Sequence, residues 1–203
     1  RPQYTNAFEL SYSYKKTINA TLGYSHTSDV MTEVLVSDTA QKTLFISEQN
    51  LAQQDSYNLN VSSPLKFTKW WNSNNNLTVY YNKFKTPNLL NAPYESGRLA
   101  FNFNSNHTMT LNPTTSFEIS GNYQSRQVYG TLLIEPQYSI DLGAKKSFMD
   151  KKLELKLAAN DVFNLREGKV TSALPGQDYV VTQKWESQVF RFTVTYRFGS
   201  NSI

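Results

Sequence analysis

Residues 188–198 read Gln-Val-Phe-Arg-Phe-Thr-Val-Thr-Tyr-Arg-Phe. Phe190, Phe192, Val194, Tyr196 and Phe198 share one parity; Arg191, Thr193, Thr195 and Arg197 share the other. Successive side chains of a strand point to opposite faces, so a strand here has one apolar, aromatic face and one polar, cationic face. An edge strand of a soluble sheet rarely gathers so many aromatics on one side. A strand that separates lipid from a watery interior needs that division.

The pattern recurs upstream. Phe8, Leu10, Tyr12 and Tyr14 alternate with Glu9, Ser11 and Ser13; Ile18, Ala20, Leu22 and Tyr24 with Asn19, Thr21 and Gly23. Tyr57, Leu59 and Val61, then Leu77, Val79 and Tyr81, continue it. Leu99, Phe101 and Phe103 oppose Arg98, Ala100 and Asn102. Phe117, Ile119 and Tyr123, then Tyr138, Ile140 and Leu142, then Leu153, Leu155 and Leu157 complete the set before the last strand. The expectation is an all-β, antiparallel transmembrane β-barrel segment of about nine strands over 1–203, joined by turns alternately short and long. Segments 37–53, 85–96 and 130–136 read as the longer connections. Ser105 and His107 share the parity of Phe103 and Met109, so they face lipid unless a bulge shifts the register. A β-sandwich also suits regularly spaced strands, but these patterns exceed the usual ~5–6 residues of its strands.

Composition agrees. Of 203 residues 14% are aromatic and only 39% hydrophobic, and no run approaches the ~18 apolar residues of a membrane helix. There is no cysteine, hence no disulfide or thiolate site. The net charge of +4 is not a nucleic-acid footprint, because Lys15, Lys16, Lys66, Lys69, Lys145, Lys146, Lys151 and Lys152 cluster at tight connections rather than along one face. The sequence opens Arg1-Pro2-Gln3, without an initiator Met or a signal-like stretch. Either a signal was removed or the chain begins within a longer protein.

Several segments resemble the C-terminal part of TonB-dependent receptors, a family of outer-membrane β-barrels. These are Arg1-Pro2-Gln3-Tyr4-Thr5-Asn6 with Phe8-Glu9-Leu10, Lys69-Trp70-Trp71, Asn160-Asp161-Val162-Phe163-Asn164, and Trp185-Glu186-Ser187 with Tyr196-Arg197-Phe198-Gly199. The resemblance implies the C-terminal part of a larger barrel of about 22 strands, with the plug domain absent from these residues. It implies a place in the bacterial outer membrane and import of a scarce, bulky nutrient. The implied partners are outer-membrane lipid, upstream strands and plug of the same protein, TonB through the N-terminal part, and the barrel-assembly machinery. The alternatives are a small self-contained barrel with a structural or adhesive role, or a barrel fragment held as a substrate of that machinery.

The candidate sites follow from parity. Phe190, Phe192, Val194, Tyr196, Leu153, Leu155, Leu157, Leu99, Phe101 and Phe103 are expected to face lipid. Trp70 and Trp71 are expected in an interfacial girdle. Tyr196 and Phe198 are the candidate C-terminal assembly signal, by pairing of an open strand edge. Glu9, Arg98, Glu118, Arg126, Asp141, Glu154, Arg191 and Arg197 are expected in the lumen, where they either line a substrate path or form a wetted wall with charges paired. His26 and His107 have no carboxylate or thiol at metal-ligand spacing, and no catalytic set or phosphate loop is present. No enzyme activity, metal or cofactor is expected, and no nucleic acid.

Overall fold

The computed structural model describes residues 2–38, 41, 43–89, 92–174 and 179–198. Among the described residues it contains thirteen strands and no helix. These are β1 (Tyr4–Tyr14), β2 (Ile18–Asp38), β3 (Thr43–Lys66), β4 (Trp71–Leu89), β5 (Ala92–Asn112), β6 (Thr115–Gln124), β7 (Gln127–Tyr129), β8 (Leu132–Ile134), β9 (Gln137–Phe148), β10 (Leu153–Asn160), β11 (Gly168–Ser172), β12 (Val180–Gln183) and β13 (Val189–Tyr196). Nine form one antiparallel sheet in the order β1-β2-β3-β4-β5-β6-β9-β10-β13; four short ones form a second in the order β12-β11-β8-β7. The expectation of about nine strands therefore covers only the large sheet. The extra four come from two outer connections that fold into hairpins and pair through β8 and β11.

Two further segments read as loops are strand. Residues 43–53 lie in β3, paired with β2 from Val30↔Leu51 to Asp38↔Thr43. Residues 85–89 and 92–96 belong to β4 and β5. Prolines and polar residues hid them: Pro87, Pro93 and the run Ser47-Glu48-Gln49-Asn50 break the alternation, although the backbone is paired strand to strand.

Register joins the apolar positions into one face. Leu10 lies opposite Leu22, Leu22 opposite Leu59, Leu59 opposite Val79, and Val79 opposite Phe101. Farther along, Ile119, Leu142, Ala159 and Phe190 make one row across four strands. Rings meet across strands, with centroids 4.9 Å apart for Tyr24–Tyr57 and 5.3 Å for Phe101–Tyr123. These side chains stay open: Phe190 is 72% exposed. The sheet is not a closed barrel, since β1 and β13 occupy its opposite edges and are not paired with each other.

The connections at one end are short: 15–17, 67–70, 113–114 and 149–152. Lys15 and Lys16 adopt φ of 50° and 54°, and Lys151 67°. At the turn before β4, the Thr68 hydroxyl accepts from the amides of Trp70 (3.3 Å) and Trp71 (3.1 Å), and Thr110 N donates to Trp70 O (2.7 Å). Trp70 and Trp71 are thereby fixed side by side, centroids 6.2 Å apart, at the end of the sheet.

No bulge rotates Ser105 and His107 away. The β4–β5 register runs unbroken from Trp71↔Met109 to Thr86↔Tyr94, so both stand on the apolar face. They are tolerated because their polar atoms are used up. Trp71 Nε1 donates to His107 Nδ1 (3.1 Å), which places the imidazole proton on Nε2 for Ser105 Oγ (2.9 Å). Ser105 Oγ donates to Asn75 Oδ1 (2.6 Å), and Asn75 Nδ2 to Ser63 O (3.2 Å). The relay crosses β3, β4 and β5 with one direction throughout.

Candidate functional site: the polar face and the hairpins folded over it

Side chains of opposite parity form the second face. Glu9, Arg98, Glu118, Asp141, Glu154 and Arg191 all fall on it by register, opposite Gly23, Asn82, Thr108, Ser120, Thr195 and Ala158 respectively. They are spread over six strands and do not converge. Among the described residues the ion pairs are His26–Asp55 (2.8 Å), Lys83–Glu95 (2.7 Å) and Arg126–Glu135 (2.5 Å). Of the eight charges singled out in the sequence only Arg126 is paired, and it lies between β6 and β7 rather than on the wall. Arg197 follows β13, where its amide donates to Lys152 O at 2.8 Å. Phe198 is exposed beyond β13 and meets Tyr196 edge-on, centroids 4.7 Å apart.

The small sheet sits on the polar face. Tyr80, on that face of β4, donates to the Gln127 side chain in β7. Tyr94, on the same face of β5, donates to Gly130 O at 3.0 Å. Around these anchors Val30, Val34, Phe84, Leu89, Tyr94 and Val128 are buried together, with Leu133 and Leu174 packed against them. This apolar cluster ties the long hairpins to the folded connections and closes over one end of the wall.

Asp161 organises the other folded connection. It is 1% exposed, just past the end of β10, with φ of 44°, a left-handed value that Asp tolerates better than most residues. Its carbonyl accepts from Asn164 N (2.7 Å), closing a tight turn. Its carboxylate accepts from Leu165 N (2.9 Å), Arg166 N (3.0 Å) and Ser187 Oγ (2.5 Å), while its own amide donates to Asp141 Oδ1 (2.7 Å). Burial by itself would raise the Asp161 pKa. The hydrogen bonds from Ser187, Leu165 and Arg166, with Lys184 nearby, outweigh it and hold the carboxyl below the ordinary range. Arg166 then reaches the polar face, donating to Ser139 Oγ at 3.0 Å. Trp185 lies against Gly168, where a Cβ would come within 2.8 Å of its ring.

The sequence motifs marked Asp161 and Ser187 separately; the structure brings them together. The alternation sets Asn102 and Asn104 opposite the apolar residues of β5, although the candidate lumen sites named from the sequence are charged ones alone. Asn72, Asn74 and Asn76 on β4 and Asn102, Asn104 and Asn106 on β5 fall on the polar face at every second position, a period-two signal as plain as that of the aromatics. A concavity of 700 Å³ lined by Phe117, Ile119, Leu142, Ala144, Leu157 and Phe192 lies on the apolar face, so it is no polar solute site.

No curated protein and no solved structure matches the chain. A family profile described as "Outer membrane protein beta-barrel family" matches residues 1–196, which take in every strand of both sheets. The chain belongs to this family, and its place is the bacterial outer membrane.

Proposed function

We propose that this chain is part of the wall of a TonB-dependent outer-membrane receptor that imports a scarce, bulky nutrient. One observation carries the reading: β1 and β13 stand at opposite edges of the nine-stranded sheet without pairing to each other. In hydrocarbon, each unsatisfied backbone group costs several kcal/mol, so such edges have to be covered by other strands. With strands running alternately up and down, the first and ninth run in the same direction, and single-chain bacterial barrels avoid a parallel seam. Further strands of the same protein, completing a barrel of about 22, cover both edges in this reading. The apolar face then meets lipid, Trp70 and Trp71 mark its border, and the polar face lines the lumen around a plug. TonB acts through the N-terminal part, and Phe198 presents the last strand to the assembly machinery.

These 203 residues contain no cysteine, and any cysteine elsewhere in the full-length protein is first replaced by serine. Leu10→Cys is combined with Phe192→Cys or Val194→Cys in the full-length protein, in the outer membrane, with oxidant. The reading expects no crosslink within a monomer, and solute uptake that disappears when TonB is deleted. An efficient β1–β13 crosslink within one molecule would establish a small self-contained barrel instead.

A further inference from the structure

We propose that the polar face of β4–β6 binds an uncharged, polyhydroxylated solute, a neutral oligosaccharide. This rests on the importer reading and names the class of solute. Asn74 lies opposite Asn106, and Asn76, Asn104 and Asn122 form one row across β4, β5 and β6. All five side chains are exposed, and none has a hydrogen-bond partner among the described residues. Neighbouring strands are ~4.8 Å apart and same-face residues ~6.7 Å apart along a strand, so the amides form a regular grid.

Each amide offers two donors and an acceptor, and each sugar hydroxyl offers the same two roles. The grid has neither guanidinium nor ammonium to hold a phosphate or carboxylate, and no carboxylates to hold a hard cation. On this face of β4 every residue from Asn72 to Tyr80 is uncharged. The charges of the wall stand off the grid, at Arg98 on one side and at Glu118 and Asp141 on the other. A peptide would need a strand edge or pockets for its alternate side chains, and the middle of a paired sheet supplies neither.

The border toward β2 is ordered in advance. Thr78 Oγ1 donates to Asn60 Oδ1 (2.8 Å), and Asn60 Nδ2 to Asn58 Oδ1 (3.0 Å). Gly23 leaves room for Asn58 to lie across β2, since a Cβ there would come within 2.6 Å of the amide. The amides on that side are satisfied by one another; those of β4–β6 remain for a ligand.

The test uses the full-length protein purified from outer membranes into nanodiscs, without an energy source. Maltoheptaose and cellohexaose serve as neutral probes, oligogalacturonate as the anionic one, glucosamine hexamer as the cationic one, and a Gly-Ser hexapeptide as the peptide. Calorimetry and saturation-transfer NMR read binding. The expectation is saturable binding of at least one neutral oligosaccharide. An Asn76→Ala/Asn104→Ala/Asn122→Ala variant should weaken it at least ten-fold, since each hydrogen bond accounts for about two- to ten-fold. The near-isosteric Asn104→Asp, whose folding is checked by heat-modifiable gel mobility, should weaken it several-fold and so keeps the test open if the triple variant misfolds. Absence of saturable binding to both neutral probes overturns the proposal. So does unchanged affinity in these variants, or tighter binding of the charged oligomers or the peptide. Because no transport is measured, failure here is distinct from failure of the importer reading, which falls on the β1–β13 crosslink.

Discussion

Ser187 Oγ donates to Asp161 Oδ2 at 2.5 Å across 26 residues of chain. That bond fastens the end of the β10–β13 connection to its beginning. With the amides of Leu165 and Arg166 on the same carboxylate, it turns a long excursion into a closed loop. Asp161→Ala removes the acceptor from two backbone donors, at a cost of about 1–3 kcal/mol for each one left dry. Protease cleavage between 166 and 187 should rise sharply, while the main sheet keeps its gel mobility. Ser187→Ala should give a smaller effect of the same kind, and the double variant should add little to Asp161→Ala.

The same carboxyl sets an acid limit on the loop. Its folded pKa is lowered, so its contribution is fully present above the unfolded value of about 3.9 and is lost as pH falls through the folded value. Loop protection by hydrogen exchange should be flat from pH 8 to about pH 5 and decline below about pH 4. Asp161→Asn should abolish that acid-induced decline.

The two faces should differ in their response to charge. Val194→Arg puts a cation on the apolar face, with an expected cost of about 2–4 kcal/mol at the bilayer midplane. Thr193→Arg places the same group on the polar face and should cost far less. Urea titrations in lipid vesicles compare the two; equal losses would contradict the assignment of faces.

The relay through His107 predicts a coupling. His107→Ala leaves Trp71 Nε1 without its acceptor, at about 1–3 kcal/mol, and frees Ser105 as well. Trp71→Phe combined with His107→Leu removes both ends of that bond and should be milder than the sum of the single changes. The same titrations measure the interaction energy.

Legibility followed the solvent on each side. Where one face is apolar and the other wet, alternation shows the strand, as in the run of Phe190, Phe192 and Val194. Where polar residues interrupt the alternation the pattern vanishes, so residues 43–53 read as loop although nearly all of them pair with β2. The small sheet was hidden for another reason: β7 and β8 are three residues each, and pairing of β8 with β11 across the chain leaves no local mark. In the site, motif resemblance reached Asp161 and Ser187 but not their bond. Attention to charges led to side chains that prove scattered, and away from the alternating asparagines between them.

Apart from the two small hairpins, every strand of the main sheet lies beside its neighbours in sequence. Such a wall can grow by accretion, one hairpin at a time, each docking event covering one open margin and presenting the next. Its cohesion is then close to a sum over adjacent pairs, as in a linear repeat array. A lesion inside β5 would part the hairpins on its two sides, since each strand of the sheet joins only its two neighbours. Severity of damage should therefore follow how much pairing a strand makes with its two neighbours rather than the number of apolar side chains it carries.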